Sequence, residues 1–192
     1  MGGNVEAYYD SLETKRVIEY REKLESVGGQ DWPSWAKYYF TIAHAVKLKS
    51  KDRHTKIGSV IVGPDGEIVS TGYNSLARGM DDLRPERYER PEKYIWMEHA
   101  ERNAIYNAAR IGVSTKTCEM FMTCDMSCID CARAIIQSGI IKIHLLVGEG
   151  AKGTKYKDQM ETSERMFRES GIIIHKYDSE FKRLRYNPTK LR

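Results

Sequence analysis

Two short segments of this chain carry the side chains that most restrict its fold and its chemistry. They are His99-Ala100-Glu101 and Cys128-Ile129-Asp130-Cys131, and a helical pattern follows each of them. Cys128 and Cys131 are three positions apart, so they share one face of a first helical turn and can bind one ion. One imidazole and two thiolates are three ligands for zinc, and they leave a fourth position for water, as catalytic zinc sites require.

Glu101 is the acidic group that this ligand set does not use. His99 and Glu101 are two positions apart, so on a regular helix they point to different sides, which suits a ligand beside a general base. The partial positive charge at a helix N-terminus favours thiolate over thiol in the second segment. A Cys-x-x-Cys pair alone also occurs as a redox pair. Together the two segments match the zinc deaminase pattern H-x-E…P-C-x-x-C, with Ser127 in place of the proline.

The length and charge of the chain narrow the classes of protein. A chain of 192 residues predicts one domain with elaborations, and its net charge of +4 suits an anionic small ligand as well as nucleic acid. No apolar run is long enough to span a membrane and no signal peptide is recognisable, so we expect a cytoplasmic protein. Cys118 is expected in the core, and Cys124 beside the metal without binding it.

The order of predicted elements indicates an α/β fold. Strands are predicted by β-rich runs and turn residues at 57–62, 67–72, 118–123, 141–147 and 172–176. Helices are predicted by apolar periodicity at 5–27, from 33 to about 46, at 99–111, from 128 to about 139 and at 158–170. Residues 76–97 and 148–157 are expected to be loops. This order predicts a three-layer α/β/α sandwich around a mixed, about five-stranded sheet.

Several further segments narrow the comparison to one family. They are Lys56–Val62, Gly72-Tyr73-Asn74-Ser75, Gly79-Met80-Asp81-Asp82, Lys93-Tyr94, His99–Ile105, Cys128–Ala132, Ile136–Ile140 and Lys155-Tyr156. With them, residues 33 to 176 resemble the deoxycytidylate (dCMP) deaminases of the cytidine deaminase superfamily. The resemblance divides the chain into an N-terminal helical arm (1–30), a zinc-dependent deaminase domain (31–178) and a basic C-terminal tail (179–192).

The resemblance implies a function. It implies hydrolytic deamination of dCMP to dUMP and ammonia, which feeds thymidylate synthesis, in a homohexamer activated by dCTP and inhibited by dTTP with Mg²⁺. Its zinc ligands would be His99, Cys128 and Cys131, and its catalytic residue Glu101. Substrate contacts are expected from Asn74 at the 3′-hydroxyl, from Ser59 and Ala100, and at the phosphate from Arg53, Lys56, Lys155 and Tyr156. Effector contacts are expected from Gly79, Asp81, Asp82 and Arg110.

Three alternatives stay open at this stage. In the first, the chain is another deaminase of the same fold that acts on cytosine, guanine or a tRNA adenosine. In the second, the chain is a non-catalytic zinc module that binds nucleic acid through its basic tail and loops, and a fourth protein ligand such as Cys124 or His54 closes the metal site. In the third, the chain has no effector site, so that Asp81 and Asp82 only cap a turn and Arg110 only ends a helix favourably.

Overall fold

The computed structural model describes residues 33–149 and 154–184, and for 154–156 only the backbone. The helix predicted at 5–27 lies outside these residues, as do the side chains of Lys155 and Tyr156. Within them the chain forms five α-helices and seven strands. The helices are α1 (Trp35–Lys47), α2 (Lys93–Trp96), α3 (Ala100–Arg110), α4 (Ile129–Gln137) and α5 (Thr154–Glu169). The strands are β1 (Gly58–Val62), β2 (Ile68–Tyr73), β3 (Ser75–Leu76), β4 (Met97–Glu98), β5 (Glu119–Met122), β6 (Lys142–Leu146) and β7 (Ile173–Tyr177).

Five of the strands form one mixed sheet with the order β2-β1-β5-β6-β7. β1 pairs antiparallel with β2 and with β5, while β5, β6 and β7 are parallel. A tight turn at Pro64-Asp65-Gly66 suffices for the β1–β2 hairpin, whereas the parallel strands need the helical crossovers α4 and α5. β1 is buried along its whole length, as expected for a central strand covered on both faces.

The core lies in two layers, one on each face of the sheet. On one face the aromatic residues of α1, above all Tyr39 and Phe40, pack on Val60 and Phe121. The other face is covered by α3, α4 and α5. The buried side chains of that layer include Ile61, Met120, Met122, Ala104, Ile135, Ile143, Leu145 and Phe167. The predicted three-layer α/β/α fold with its mixed five-stranded sheet is therefore confirmed.

Residues 76–97 contain more regular structure than the sequence predicts. The two-residue strands β3 and β4 pair with each other, a 3-10 helix spans Pro85–Tyr88, and α2 follows it. Leu76, Tyr88 and Met97 form a small separate core. Elements this short produce no periodic pattern, and their stability comes from this core rather than from local preference.

Two other boundaries differ from prediction. α5 begins at Thr154, so Lys155-Tyr156 belongs to a helix and not to the end of a loop. After β7 the chain turns back on itself: Phe181 stacks on Phe40 with ring centroids 5.9 Å apart, and Arg183 forms a bridge with Tyr177. The beginning of the basic tail thus packs on the core. Within the described residues, every helix is too short or too polar to cross a membrane.

Candidate metal centre and active site

Each metal-binding segment begins a helix. His99 is the N-cap residue of α3 and Cys128 is the N-cap residue of α4, both with extended backbone conformations. Cys131 lies in the first turn of α4. Two helix N-termini therefore meet at one place, and their partial positive charges favour thiolate ligands there.

α3 is seated on β2 by an unusually close approach. A Cβ on Gly72 would lie 2.3 Å from the carbonyl oxygen of Ala100 and 2.4 Å from the amide nitrogen of Ala104, so only glycine leaves room for the helix. Side-chain hydrogen bonds fix the same contact: Asn103 donates to the Tyr73 carbonyl at 2.8 Å, and Ser70 donates to the Ala104 carbonyl at 2.7 Å. The position of His99 and Glu101 therefore follows from the packing of α3 on the strand.

His99, Cys128 and Cys131 offer one ligand atom each, and these atoms all lie within 4.8 Å of one another. The Nδ1 atom of His99 is 3.3 Å from the Cys128 sulfur and 3.5 Å from the Cys131 sulfur. A nitrogen and two sulfurs at this separation fit a tetrahedral Zn²⁺ ion with one position left for a ligand from solution.

Hydrogen bonds among His99, Cys128 and Cys131 shift the pKa values of all three side chains. Hydrogen bonding with Cys131, and then with His99, lowers the pKa of the Cys128 thiol to about 3. Hydrogen bonding with Cys128 raises the pKa of His99 to about 9, and the same neighbour raises the pKa of Cys131. The donors compete for protons that a divalent cation would replace, because metal ligands must be deprotonated.

Glu101 lies beside the three donors but outside their group. It is 4% exposed and lines the same cleft as His99 and Cys128. Burial raises the pKa of its carboxyl, and the nearby His99 charge opposes that rise. A raised pKa makes this carboxyl a stronger base than a free glutamate, which suits a general acid–base group.

The cleft around the metal donors has a volume of about 360 Å³, within the size range of small-molecule sites. Cys124 lines it, yet its sulfur is not among the clustered donors. His54 pairs instead with Glu89 at 3.4 Å, at the surface. Among the residues that the structure describes, no fourth protein ligand closes the metal site, so the geometry favours a catalytic over a purely structural zinc.

The other predicted substrate residues whose side chains the structure describes fall into three groups. Asn74 and Ala100 line the cleft. Ser59 is fully buried within β1, and its hydroxyl has no hydrogen-bond partner among the described residues. Arg53 and Lys56 are both exposed and lie outside the cleft lining, and Arg53 contacts Glu89 at 3.4 Å.

Three basic residues that the sequence reasoning did not assign to the substrate site also line the cleft: Arg90, Lys93 and Arg102. Arg102 pairs with Glu98, four residues earlier, a spacing visible in the sequence. Lys93 is 6% exposed and pairs with Asp52. Arg90 is exposed and forms no ion pair with the described residues. Its position at the cleft depends on folding of the 76–97 segment, which explains why it was missed.

A second cavity, of about 330 Å³, lies next to the first. Gly79, Asp82 and Arg110 line it, whereas Asp81 does not; Asp81 accepts a hydrogen bond from the Leu83 amide at 3.0 Å, as a turn cap. The two cavities share a wall in which neighbouring residues face opposite sides. Lys51, Tyr73, Glu98 and Asn103 line the second cavity, and their sequence neighbours Asp52, Asn74, His99 and Arg102 line the first.

Comparison with known proteins agrees with this geometry. The family model for the cytidine and deoxycytidylate deaminase zinc-binding region matches residues 33–147, which include all three metal donors and Glu101. The chain belongs to this family. The expectation drawn from the two metal-binding segments and the segments around them is thereby confirmed.

Relatives in the family cover most of the chain. Mouse deoxycytidylate deaminase is 30% identical over 161 residues, which are 80% of this chain and 85% of the mouse protein. Human deoxycytidylate deaminase is 32% identical over 154 residues, 77% of this chain and 82% of the human one. The structure of the dCMP deaminase of cyanophage S-TIM5, in complex with dCMP and dUMP, matches with a TM-score of 0.60 at 22% identity, covering 76% of this chain and 98% of that one. The last match bears on the fold alone.

Proposed function

We propose that this protein is a zinc-dependent hydrolase that deaminates dCMP to dUMP and ammonia. The observation that carries the proposal is the position of Glu101, buried in the same cleft as three clustered zinc donors but not part of their group. The named activity of the mouse and human relatives supports dCMP as the substrate.

The chemistry follows from the roles of the chain's own groups. His99, Cys128 and Cys131 would hold a zinc ion, which would supply a water molecule activated for nucleophilic attack at neutral pH. Glu101 accepts the proton that the water loses as it adds to C4 of cytosine, and donates a proton to the ring nitrogen N3. Glu101 then removes the remaining proton from the oxygen now bonded to C4 and passes it to the departing amino group. A C4–O bond forms and the C4–N bond breaks, which gives dUMP and ammonia.

Recognition of the nucleotide is assigned to the walls of the cleft. Asn74 is proposed to contact the 3′-hydroxyl and Ala100 the base, since both line the cleft. Arg90 is our first candidate for the 5′-phosphate, because its charge is not neutralised by any described acidic residue. Lys155 and Tyr156 stay predicted phosphate contacts at the start of α5.

A competition assay tests the proposed substrate. Purified zinc-loaded protein is offered dCMP together with cytidine, cytosine, guanine or tRNA, and the release of ammonia and of each product is measured. We expect turnover of dCMP to exceed that of every competitor. Preferred turnover of cytosine, guanine or tRNA adenosine would transfer the assignment to another deaminase of the same fold, and no deamination at all would leave a zinc module without this catalytic role.

We also propose that the second cavity binds the triphosphate effectors. Gly79, Asp82 and Arg110 line it, and Arg110 supplies a cation that suits phosphate. Asp82 pairs with Lys51 at 2.5 Å, so a carboxylate for a Mg²⁺-bound triphosphate and a lysine for its phosphates lie side by side. The wall shared with the metal cleft gives an effector a short path to the substrate site.

Saturation curves for dCMP test the regulatory proposal. dTTP with Mg²⁺ is expected to inhibit, dCTP to relieve that inhibition, and Arg110→Glu to weaken both effects while zinc content stays the same. Curves that neither triphosphate moves would contradict it. The homohexamer, the cytoplasmic location and the supply of dUMP for thymidylate synthesis stay predictions.

A further inference from the structure

Three buried polar residues from separate segments meet in the wall of the metal cleft. They are Asp52 from the loop before β1, Asn74 between β2 and β3, and Lys93 at the start of α2, and each is less than a tenth exposed. The Lys93 Nζ atom lies 2.8 Å and 3.1 Å from the two carboxylate oxygens of Asp52. A lysine is almost never this buried unless it is paired, so the ion pair determines where this part of the chain sits.

Asp52 connects the lysine to the loop that follows it. Its Oδ1 atom accepts hydrogen bonds from the backbone amides of His54 at 2.8 Å and Thr55 at 3.1 Å. Burial opposes ionisation of Asp52, but hydrogen bonds from Lys93 and from these amides outweigh it and hold the pKa of the carboxyl below its ordinary value. The carboxylate is therefore charged, and Lys93 neutralises it.

Nearly every polar contact of the Asn74 amide is used within the protein. Its Oδ1 atom accepts from the Ile57 amide at 2.8 Å. Its Nδ2 atom donates to the Thr55 carbonyl at 2.8 Å and to Asp52 at 3.3 Å. Because both N–H groups are engaged, the amide has only one remaining lone pair, on oxygen, to offer a ligand. Asn74 can therefore accept a hydrogen bond from a hydroxyl in the cleft but cannot donate one.

We propose that Lys93 is a positioning residue for substrate recognition: its buried ion pair with Asp52 holds the Asn74 amide in the one orientation that presents an acceptor to a sugar hydroxyl. The inference rests on the proposed function, in which Asn74 contacts the 3′-hydroxyl of dCMP. Lys93 acts through Asp52 and takes no part in the proton transfers at Glu101. A buried ion pair is weak evidence for stability alone, which leaves a functional role to be tested.

The test compares Lys93→Met with a matched control, Lys142→Met. Lys142 forms a half-buried pair with Glu119 at 2.7 Å, and neither residue lines the metal cleft. Both variants remove one lysine from a pair with a carboxylate, so both are expected to lower the melting temperature. Only Lys93→Met should raise KM for dCMP, by roughly 3- to 10-fold, the effect of one lost hydrogen bond, with kcat and zinc content unchanged.

A second substrate separates positioning from general damage. Wild-type protein should turn over dCMP with a lower KM than 2′,3′-dideoxycytidine 5′-monophosphate, which lacks the 3′-hydroxyl, and Lys93→Met should lose most of that difference. The proposal is overturned if Lys93→Met keeps the full difference, or if its KM for dCMP matches that of Lys142→Met.

A double variant keeps the proposal testable if Lys93→Met alone folds poorly. Lys93→Met combined with Asp52→Asn removes both charges, and because the new amide faces the Asn74 N–H groups, the same loss of discrimination is expected. Full discrimination in this double variant would also overturn the proposal. Wild-type protein that fails to deaminate dCMP would instead refute the proposed function itself.

Discussion

The close approach of α3 to β2 at Gly72 allows a sharp prediction about the metal centre. In Gly72→Ala the new Cβ would lie 2.3 Å from the Ala100 carbonyl oxygen, which is backbone and cannot rotate away. To reach an ordinary contact distance the start of α3 must move by about 1 Å. His99 and Glu101 lie in that moving segment, whereas Cys128 and Cys131 are on α4.

The size of the effect follows from that displacement. Overpacking of this kind costs about 1–3 kcal/mol. For a chain of this length it lowers the melting temperature by about 2–12 °C. Zinc–ligand distances tolerate only about 0.2 Å, so the displacement of His99 should weaken zinc binding. A misplacement of about 1 Å at a reacting group can cost about 100-fold in rate, so deamination should fall by that order even in zinc-saturated protein.

The assay measures zinc affinity and dCMP turnover well below the melting temperature of the variant. Gly58→Ala is the matched control, since its Cβ would lie 2.0 Å from the Ala43 carbonyl oxygen of α1, on the opposite face of the sheet. The control should lose stability and keep zinc affinity. Wild-type zinc affinity and turnover in Gly72→Ala, or an equal loss of zinc in Gly58→Ala, would refute the reasoning.

Three further predictions concern single groups. Glu101→Gln should keep zinc and lose turnover by about 10²- to 10⁴-fold, and near wild-type turnover in a zinc-loaded variant would remove Glu101 from its assigned role. Ser59→Ala removes a buried hydroxyl with no partner among the described residues, so it should raise the free energy of unfolding by about 1 kcal/mol and keep turnover; a large rise in KM would instead assign Ser59 to the substrate. The pKa values of Asp52 and Glu119 are lower in the folded than in the unfolded protein, so both carboxylates stabilise the fold fully above their unfolded-state pKa values and lose that effect as pH falls through their folded-state pKa values. Denaturant titrations should therefore show the free energy of unfolding falling below about pH 4. A constant free energy of unfolding in that range would contradict the charged pairs.

The cluster of His99, Cys128 and Cys131 could be predicted from sequence because the spacing within each segment is local. Cys128 and Cys131 are brought together by one helical turn, and His99 and Glu101 by the start of another. The two helix starts meet because α3 and α4 pack on the same face of the sheet. The helix α1 was predicted from a local signal of the same kind, the apolar periodicity from 33 to about 46.

The walls of the cleft could not be predicted because their contacts are distant in sequence. Lys93 is buried only because Asp52, 41 residues earlier, neutralises it. Arg90 reaches the cleft through the short elements of residues 76–97, whose order depends on a small tertiary core. Arg53 and Lys56 were selected for charge alone, and charge does not determine which side of a loop a residue occupies. The start of α5 was predicted at 158 rather than at Thr154 because the glycine- and lysine-rich composition of residues 148–157 is typical of a loop.

The most direct test of a zinc-dependent dCMP deaminase is a metal titration of activity. Zinc is removed from the purified full-length chain by chelation and returned in measured amounts, and the conversion of dCMP to dUMP is followed together with ammonia release. We predict no turnover without zinc and a linear rise in turnover that stops at one zinc per chain, with Cys128→Ala showing neither the rise nor the binding. Deamination of dCMP that continues in fully metal-free protein, or a protein saturated with one zinc per chain that leaves dCMP intact, would contradict the account.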